Sequence, residues 1–527
     1  MTDQRVIVIG NGPVGQTAAL LLARWGIAVT VLDAAPQREL VGSKAICQQR
    51  DVLDIWQAVG IGRQIADEGV TWTTARTFYR DRELFAITLP DPGQSAFPPF
   101  VNISQSRVEA VLDGRIAAER LIDVRWGHRV VHIEQTSSTV TVRCAGGVEV
   151  TADYAVVCAG AKADDLRHTL GVSFDGRSFD DRFLICDIRA DMPGWAEERR
   201  FYFDPPFNPG RQVLIHQCPR STFRIDWQVP SDYDLAAEER SGALDKRVRA
   251  IIGDTDYDVV WRSVYRFHSR VANRLRVGRV LLAGDCAHLY APFGARGLNS
   301  GVADVENAAW KLAFVLRGWA PDELLDTYHD ERHAAALENL AVTTSTMDFL
   351  VPHTESQRRH RVAALERAVA DPSAASDVDS GRLAEPYWYV DSPLTTRNPA
   401  RPFAGRPPRG VAPDAGPGVV LPDAPVVVNG VPARLREFAR DGILLLAGAD
   451  VDADGMSAAA AAATSAPVRV LSLASIDVDG AVAHSLAART AELWVIRPDA
   501  HIAAVLDGPT PEEVVAAVRR ACGAVRA

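Results

Sequence analysis

Lysine is almost missing from this chain, occurring only at positions 44, 162, 246 and 311. Arginine carries nearly all the positive charge, the net charge is −10, and no polybasic tail exists, which argues against nucleic-acid or anionic-membrane partners. The seven cysteines (47, 144, 158, 186, 218, 286, 522) are scattered and never spaced C-x-x-C. That pattern excludes a disulfide framework and a zinc site, so no metal is expected and the thiols should be reduced. No run of about 18 uncharged apolar residues is present, and the Ala-rich stretch 457–463 is too short to span a bilayer. The chain opens on a strand rather than a basic region followed by an apolar run, so no signal peptide and a cytoplasmic location are expected. Repeats of solenoid period are also missing.

What is present is enough core for two or three domains: 47% of 527 residues are hydrophobic. Arg5–Ile9 reads as a buried strand, Gly10-Asn11-Gly12-Pro13-Val14-Gly15 as a G-x-G-x-x-G turn, Gln16–Trp25 as a helix and Ala28–Leu32 as a second strand. Asp33 closes that strand about twenty residues after the glycines, where an acid meets a ribose hydroxyl. Glycines let phosphate oxygens approach the backbone at a helix N-terminus, so this unit predicts a bound dinucleotide. A second strand-loop-helix motif runs from Val280 through Gly284 and Asp285, Pro292 and Gly294, to Gly297, Leu298 and Asn299. It again offers a carboxylate for a hydroxyl and a helix start for a group that becomes negative. His288 beside it reads as positional rather than catalytic.

Between the motifs, Ser106–Ala118 reads as a helix, Asp123–Ile133 and Val140–Val142 as alternating strands, and Tyr154–Cys158 as a buried strand. Residues 172–268 are rich in strand signals and aromatics, and read as a sheet domain inserted into the first. The expected organisation is a first part at 1–171 with an excursion near 72–100, the inserted sheet at 172–268, a return at 269–370, a Pro/Gly-rich connection at 371–425, and a small α/β domain at 426–527.

These motifs resemble the group A flavoprotein monooxygenases, the para-hydroxybenzoate hydroxylase-like aromatic hydroxylases. Over roughly residues 4–350 the resemblance rests on Gly10–Gly15 with Asp33, Gly42-Ser43-Lys44-Ala45 leading to Arg50, Gln105 with Glu109, Gly278 through Asn299, Asn307–Ala313, and Tyr328 with Glu331-Arg332. It implies a Rossmann-like FAD-binding domain of α/β class, an inserted β-sheet substrate domain, and NAD(P)H and O₂ as co-substrates. Gly10, Gly12, Pro13, Val14, Gly15, Asp33, Lys44, Gln105, Gly284, Asp285, Pro292, Gly294, Gly297, Leu298 and Asn299 are then the expected cofactor contacts. The tail, through Leu493–Asp499 and the helix Thr510–Cys522, resembles the thioredoxin-like domain of the phenol and 3-(3-hydroxyphenyl)propionate hydroxylase branch. Without C-x-x-C it is expected to serve structure or oligomer contacts, and a homo-oligomer fits that role.

The resemblance implies that a C4a-hydroperoxyflavin delivers oxygen to a small aromatic substrate of phenol or hydroxypyridine type. A residue sharing the ring hydroxyl's proton is expected in the inserted domain, with His216, Tyr202, Arg224, Asp226 and Tyr265 as candidates. Other flavin chemistry on the same scaffold, Baeyer–Villiger or epoxidising oxygen insertion or reduction, remains an alternative, as does a non-hydroxylating flavoprotein. Several positions depart from the family. Ala159-Gly160 replaces its Asp-Gly pair, the next arginine falls one residue late at Arg167, and Lys44 replaces an arginine. Ala291, Ala295 and Arg296 stand for its Pro, Gly and Gln; Arg296 is expected either to face the flavin or an acidic substrate, or to be solvated. His329 and His333 share zinc-protease spacing, but the acid between them is misplaced for H-E-x-x-H.

Overall fold

The computed structural model describes residues 5–39, 45–89, 95–195, 197–408 and 411–524. The four buried residues Val6–Ile9 take an inner place in a six-stranded sheet ordered Arg276–Val277, Val280–Leu282, Tyr154–Val157, Val6–Ile9, Val29–Leu32, Ile122–Arg125. Every pairing is parallel except that of the edge strand Arg276–Val277. The unbroken apolar runs suit strands covered on both faces. Packed into the same core are the helices Pro13–Arg24, Gln105–Ala117 and Gly297–Leu316, and the antiparallel sheet of Val130–Gln135, Val140–Cys144 and Glu149–Ala152. The expected single strand Asp123–Ile133 is two, because the chain turns at Trp126-Gly127, with Gly127 at φ +71°.

Ile9 stands level with Leu32 on one side and Val157 on the other, and Val157 with Leu282. The carboxyl ends of four strands therefore open together at Gly10, Asp33, Cys158 and Ala283. The chain leaves Val6–Ile9 toward one side of the sheet and returns on the other, so a topological switch point lies at Gly10. Open α/β sheets bind ligands at that point.

The second sheet has eight strands, ordered His288–Leu289, Tyr257–Ala272, Phe174–Ala190, Thr222–Val229, Gln212–Cys218, Glu198–Phe203, Thr74–Tyr79, Arg82–Thr88. It draws one edge from residues 74–88 and the other from the loop of the second motif. Side chains alternate between its faces. Phe223, Ile225, Trp227 and Val229 enter one core with Leu244 and Val248 of the helix Ala243–Ile252. On the opposite face Phe183, Phe201, Phe203 and Phe267 join Phe293 and the Met347–Val351 turn.

Residues 426–527 hold a four-stranded mixed sheet, Val468–Ser472, Ile443–Ala447, Glu492–Ile496, Ile502–Asp507. The helices Ala453–Ala463 and Pro511–Ala521 share a core with Trp310, Phe314 and Leu324 of the first domain. Thr510 and Glu513 form a capping box that starts the last helix.

Residues 371–425, expected as a connection, are a fitted part of the protein. Ser380 meets Thr77 at 3.2 Å, Ala384 N donates to Gly294 O at 2.7 Å, and Trp388 and Tyr389 are buried. Apart from the 3₁₀ helix Pro372–Asp377, its described residues up to 424 run without helix or strand, and they carry aromatics that have to be buried.

Candidate cofactor and substrate site

The first motif folds as its residue types require. Gly10 sits at φ +104°, and a Cβ there would lie 2.4 Å from Cys158 O; a Cβ on Gly15 would lie 1.9 Å from Gly10 O. Only glycine allows this closeness of strand, turn and helix. Gly12 caps the helix with Pro13 at its first position, and no acidic residue occupies the first turn. Space opens beside Gly12 where a side chain would begin. Asp33 accepts from Asn11 N at 2.6 Å and Ala35 N at 2.8 Å, so its carboxylate is fixed at the strand end. The Asn11 side chain is 1% exposed, and neither its Oδ1 nor its Nδ2 has a partner among the described residues. A free helix N-terminus, an open backbone cradle and an orphaned buried amide together fit a dinucleotide.

Gln105 begins the helix Gln105–Ala117. Its Oε1 accepts from Ala45 N at 3.2 Å, and its Nε2 donates to Glu109 at 2.8 Å. Burial pushes the Glu109 carboxyl up against the opposing pull of Gln105 and Arg38. Arg38 in turn grips Asp113 at 2.7 and 2.8 Å. Lys44, with Gly42 and Ser43, lies outside the described residues.

At the second motif Gly284 begins a short 3₁₀ turn and Asp285 is exposed at the sheet's carboxyl edge. The exposed Pro292 leads to the buried Phe293 and Gly294. Gly297 and Leu298 open the helix Gly297–Leu316, which also lacks acid in its first turn. Asn299 clamps the loop from within, taking Gln49 N at 3.1 Å and donating to Cys47 O and Ala295 O at 3.0 and 2.6 Å. Val14 of the first motif lies against Gly284 and Gly301 of the second. His288 pairs with the fully buried Asp304 at 2.7 Å, and Asp304 also holds Gly284 N and Arg332. Those contacts make His288 a brace for the loop.

Arg296 is not the solvated loop residue of one expectation. It is 2% exposed and directed away from solvent, donating to Asn339 Oδ1 at 2.5 Å and to the carbonyls of Arg382 and Leu383 at 3.1 and 3.2 Å. Burial lowers its pKa to about 10. It ties the 371–425 segment to the loop. Ala159 Cα would stand 3.0 Å from a Cβ on Gly10, so the family's missing acid belongs beside the glycine turn. Arg167 is held by Cys286 O, Ala161 O and Asp164 and stacks 4.0 Å from the Phe174 ring. The rings of His329 and His333 lie 4.8 Å apart at a 37° tilt, and His329 accepts from Leu275 N. Among the described residues no cluster of three metal-ligating side chains forms.

The substrate-side candidates separate by sheet face. Tyr202 stacks on Phe78 at 4.6 Å in the core beneath the helix Ala243–Ile252, on the face away from Phe293. His216, Arg224 and Asp226 occupy the face toward the loop, and the charge of Asp285 raises the Tyr265 pKa further than burial alone. Arg224 is locked to Asp187 by two bonds of 2.7 and 2.9 Å. His216 is held far below the ordinary histidine range by burial and by the guanidiniums of Arg199 and Arg224. Arg199 was not legible as a site residue, its one signal being its place in a strand that ends in the contiguous aromatics Phe201-Tyr202-Phe203.

Residues 3–343 match the FAD binding domain family. A 3-(3-hydroxy-phenyl)propionate/3-hydroxycinnamic acid hydroxylase of Mycobacterium sp. (strain JLS) is 32% identical over 64% of this chain and 59% of its own. One of Mycolicibacterium gilvum (strain PYR-GCK) is 33% identical over 71% of this chain and 64% of its own. The chain thus spans about three-fifths of the length of these relatives. Among solved structures, the flavin-dependent monooxygenase PieE with FAD and substrate superposes with a TM-score of 0.84 at 23% identity, covering 99% of both chains. Aklavinone-11 hydroxylase with FAD and aklavinone gives 0.76 at 23% identity and the same coverage.

Proposed function

Because this chain belongs to the FAD binding domain family, we propose that it is a flavin-dependent monooxygenase that uses NAD(P)H and O₂ to hydroxylate an activated aromatic ring. The observation that carries the reading is the meeting of the loop before Gly297 with an aromatic sheet face. Phe293 lies 5.4 Å from Phe183, 6.1 Å from Phe201 and 6.0 Å from Phe267. Packed on one another and 0–3% exposed, these rings give a dry apolar backing beside which a flat apolar ligand would sit.

The Gly10–Gly15 turn and helix would hold the pyrophosphate, Asp33 the adenosine ribose, Gln105 and Asp285 further hydroxyl groups, and Pro292 to Asn299 the isoalloxazine edge. Bound there, FAD supplies hydride acceptance and O₂ activation, chemistry that no side chain offers. The N-terminus of Gly297–Leu316 favours negative charge on the ring edge it faces. Phe183, Phe201, Phe267 and Phe293 exclude water and orient the substrate ring. The net charge of −10 supports a small-molecule partner over a nucleic acid, and the buried, unpaired cysteines support a reducing cytoplasm. Among the described residues no helix is long and apolar enough to cross a membrane.

The test is NAD(P)H oxidation and oxygen uptake with and without candidate phenols, read with product mass. Gain of one oxygen on an intact ring is expected. A lactone or epoxide product, or no stimulation by any phenol, overturns the reading.

A further inference from the structure

Cross-strand register lays a charged row across the sheet face that the Phe293–Ala295 loop spans. Arg199 stands opposite His216, His216 opposite Arg224, and Arg224 opposite Asp187, on four neighbouring strands. Asp226 sits one row nearer the phenylalanines, opposite Leu214, which is itself opposite Phe201. Phe293 packs on the aromatic rows at one end. Ala295 packs against the cluster of Cys47, Trp72, Phe100 and Cys218 at the other. The charged row lies between those two anchors.

Two members of the set have unused bonding capacity. Arg199 is 5% exposed and makes no hydrogen bond or ion pair among the described residues, and its guanidinium rests 5.7 Å from the Phe201 ring. Asp226 is half-buried, and its Oδ1 is shut off from solvent without a partner among the described residues. One strand separates the two residues, a span of about 10 Å between their backbones. Their charges act on each other, yet they do not bond. Uncompensated buried groups of opposite sign are costly unless a ligand completes them.

Resting on the hydroxylase reading above, the geometry points to Asp226 as the base that takes the ring hydroxyl's proton and Arg199 as the cation that holds the resulting phenolate. The ring O–H bond breaks, its electron pair stays on oxygen, the proton goes to the Asp226 carboxylate, and the negative charge passes from Asp226 to the ring oxygen beside Arg199. His216 cannot compete, because guanidiniums on both sides oppose its protonation. Arg224 is occupied by Asp187. The ionisable groups facing Asp226 are Arg224 on its own strand, Asp187, Arg199, His216 and Cys218 on neighbouring strands, and Cys47 across the site. Together they leave a carboxyl of pKa about 7, matched to a phenol-proton acceptor at neutral pH.

The experiment uses the FAD-loaded full chain, a fluorinated phenol series of falling hydroxyl pKa, and 4-nitrophenol as a spectroscopic probe. Asp226→Asn is expected to lower kcat/KM roughly 10²–10⁴-fold with the least acidic phenol, the loss shrinking along the series and at alkaline pH. An equal loss for every phenol at every pH leaves the hydroxylase reading intact and overturns the assignment of Asp226. Wild-type holoenzyme is expected to bind 4-nitrophenol as the visible phenolate well below the pH at which the free probe ionises, and Arg199→Met to lose that band. This readout decides the site if Asp226→Asn does not fold: no phenolate band in the wild type, or an unchanged band in Arg199→Met, overturns it. Should no phenol speed NAD(P)H oxidation, the hydroxylase reading fails, while a band dependent on Arg199 still upholds a phenolate site.

Discussion

A Cβ on Gly284 would stand 3.1 Å from Val14 Cγ2, so the two glycine motifs touch through one valine. Val14 also fills the space over Gly301, where an added Cβ would come within 2.7 Å of it. The first turn and the second loop are therefore positioned against each other directly.

Gly284→Ala is expected to destabilise the protein by about 1–3 kcal/mol and to reduce the FAD retained on purification, read by thermal unfolding and the flavin-to-protein absorbance ratio. Gly284 also sits at φ +66°, so the double variant with Val14→Ala should recover only part of the loss. Full additivity of the two substitutions would show that the contact is unimportant.

Asp226 gives a stability prediction separate from catalysis. Burial pushes its carboxyl up to about 7 from 3.8, Asp187 adding to the rise and Arg224 and Arg199 opposing it. A raised acid contributes stability that is fully present below its unfolded pKa and is lost as pH rises through the folded one. Asp226→Asn should therefore be more stable than wild type by about 2–4 kcal/mol above pH 7, with the difference closing toward pH 4. Urea unfolding across that window measures it; a constant offset would contradict it.

Arg296→Gln cannot reach Asn339 and the two carbonyls together. Leaving those acceptors unpaired should cost about 2–4 kcal/mol and speed limited proteolysis within residues 378–408, with the FAD fold otherwise retained by circular dichroism. Unchanged cleavage would mean that Arg296 does not anchor the segment.

Tyr202→Phe changes a side chain on the far face of the sheet and should alter kcat/KM by no more than about twofold. A hundredfold loss in steady-state turnover would return Tyr202 to the active-site face.

Arg497→Met removes a guanidinium that Glu331 holds at 2.5 and 2.9 Å and Asp499 at 2.6 Å, all fully buried. Leaving Lys311 as the remaining cation on Glu331, and Asp499 without a guanidinium, should cost about 3–5 kcal/mol. Arg497 and Lys311 draw the Glu331 carboxyl below its usual range despite burial. A depressed acid contributes stability that is present above its unfolded pKa and lost as pH falls through the folded one. Acid titration followed by tryptophan fluorescence should unfold the variant at higher pH than wild type.

Both glycine motifs were legible in the sequence because each is local: strand, turn, helix and terminal acid lie within thirty residues. The α/β class and the inserted sheet follow from the same periodicities. The neighbours of Asp226 were not legible, since Arg199, His216 and Asp187 come from three strands whose register alternation alone does not set. Alternation places Asp226 on a face but does not say who stands opposite. The packing of the 371–425 connection was not legible because its prolines and glycines outweigh the signal of Tyr387-Trp388-Tyr389. Arg296 followed the same logic, its acceptors being backbone carbonyls that no side-chain pattern reveals.

The helix Gly297–Leu316 begins at the loop expected to face the cofactor ring and, four turns on, presents Trp310 Nε1 to Asp499 at 3.2 Å and Lys311 to Glu331 at 2.6 Å. It is one continuous helix that begins in the second motif at one end and docks the tail domain at the other. Through Trp310 and Phe314 the far end of this helix enters the core of the C-terminal sheet, so one element carries packing in both domains. The C-terminal sheet is thereby anchored to the same element that begins in the second motif.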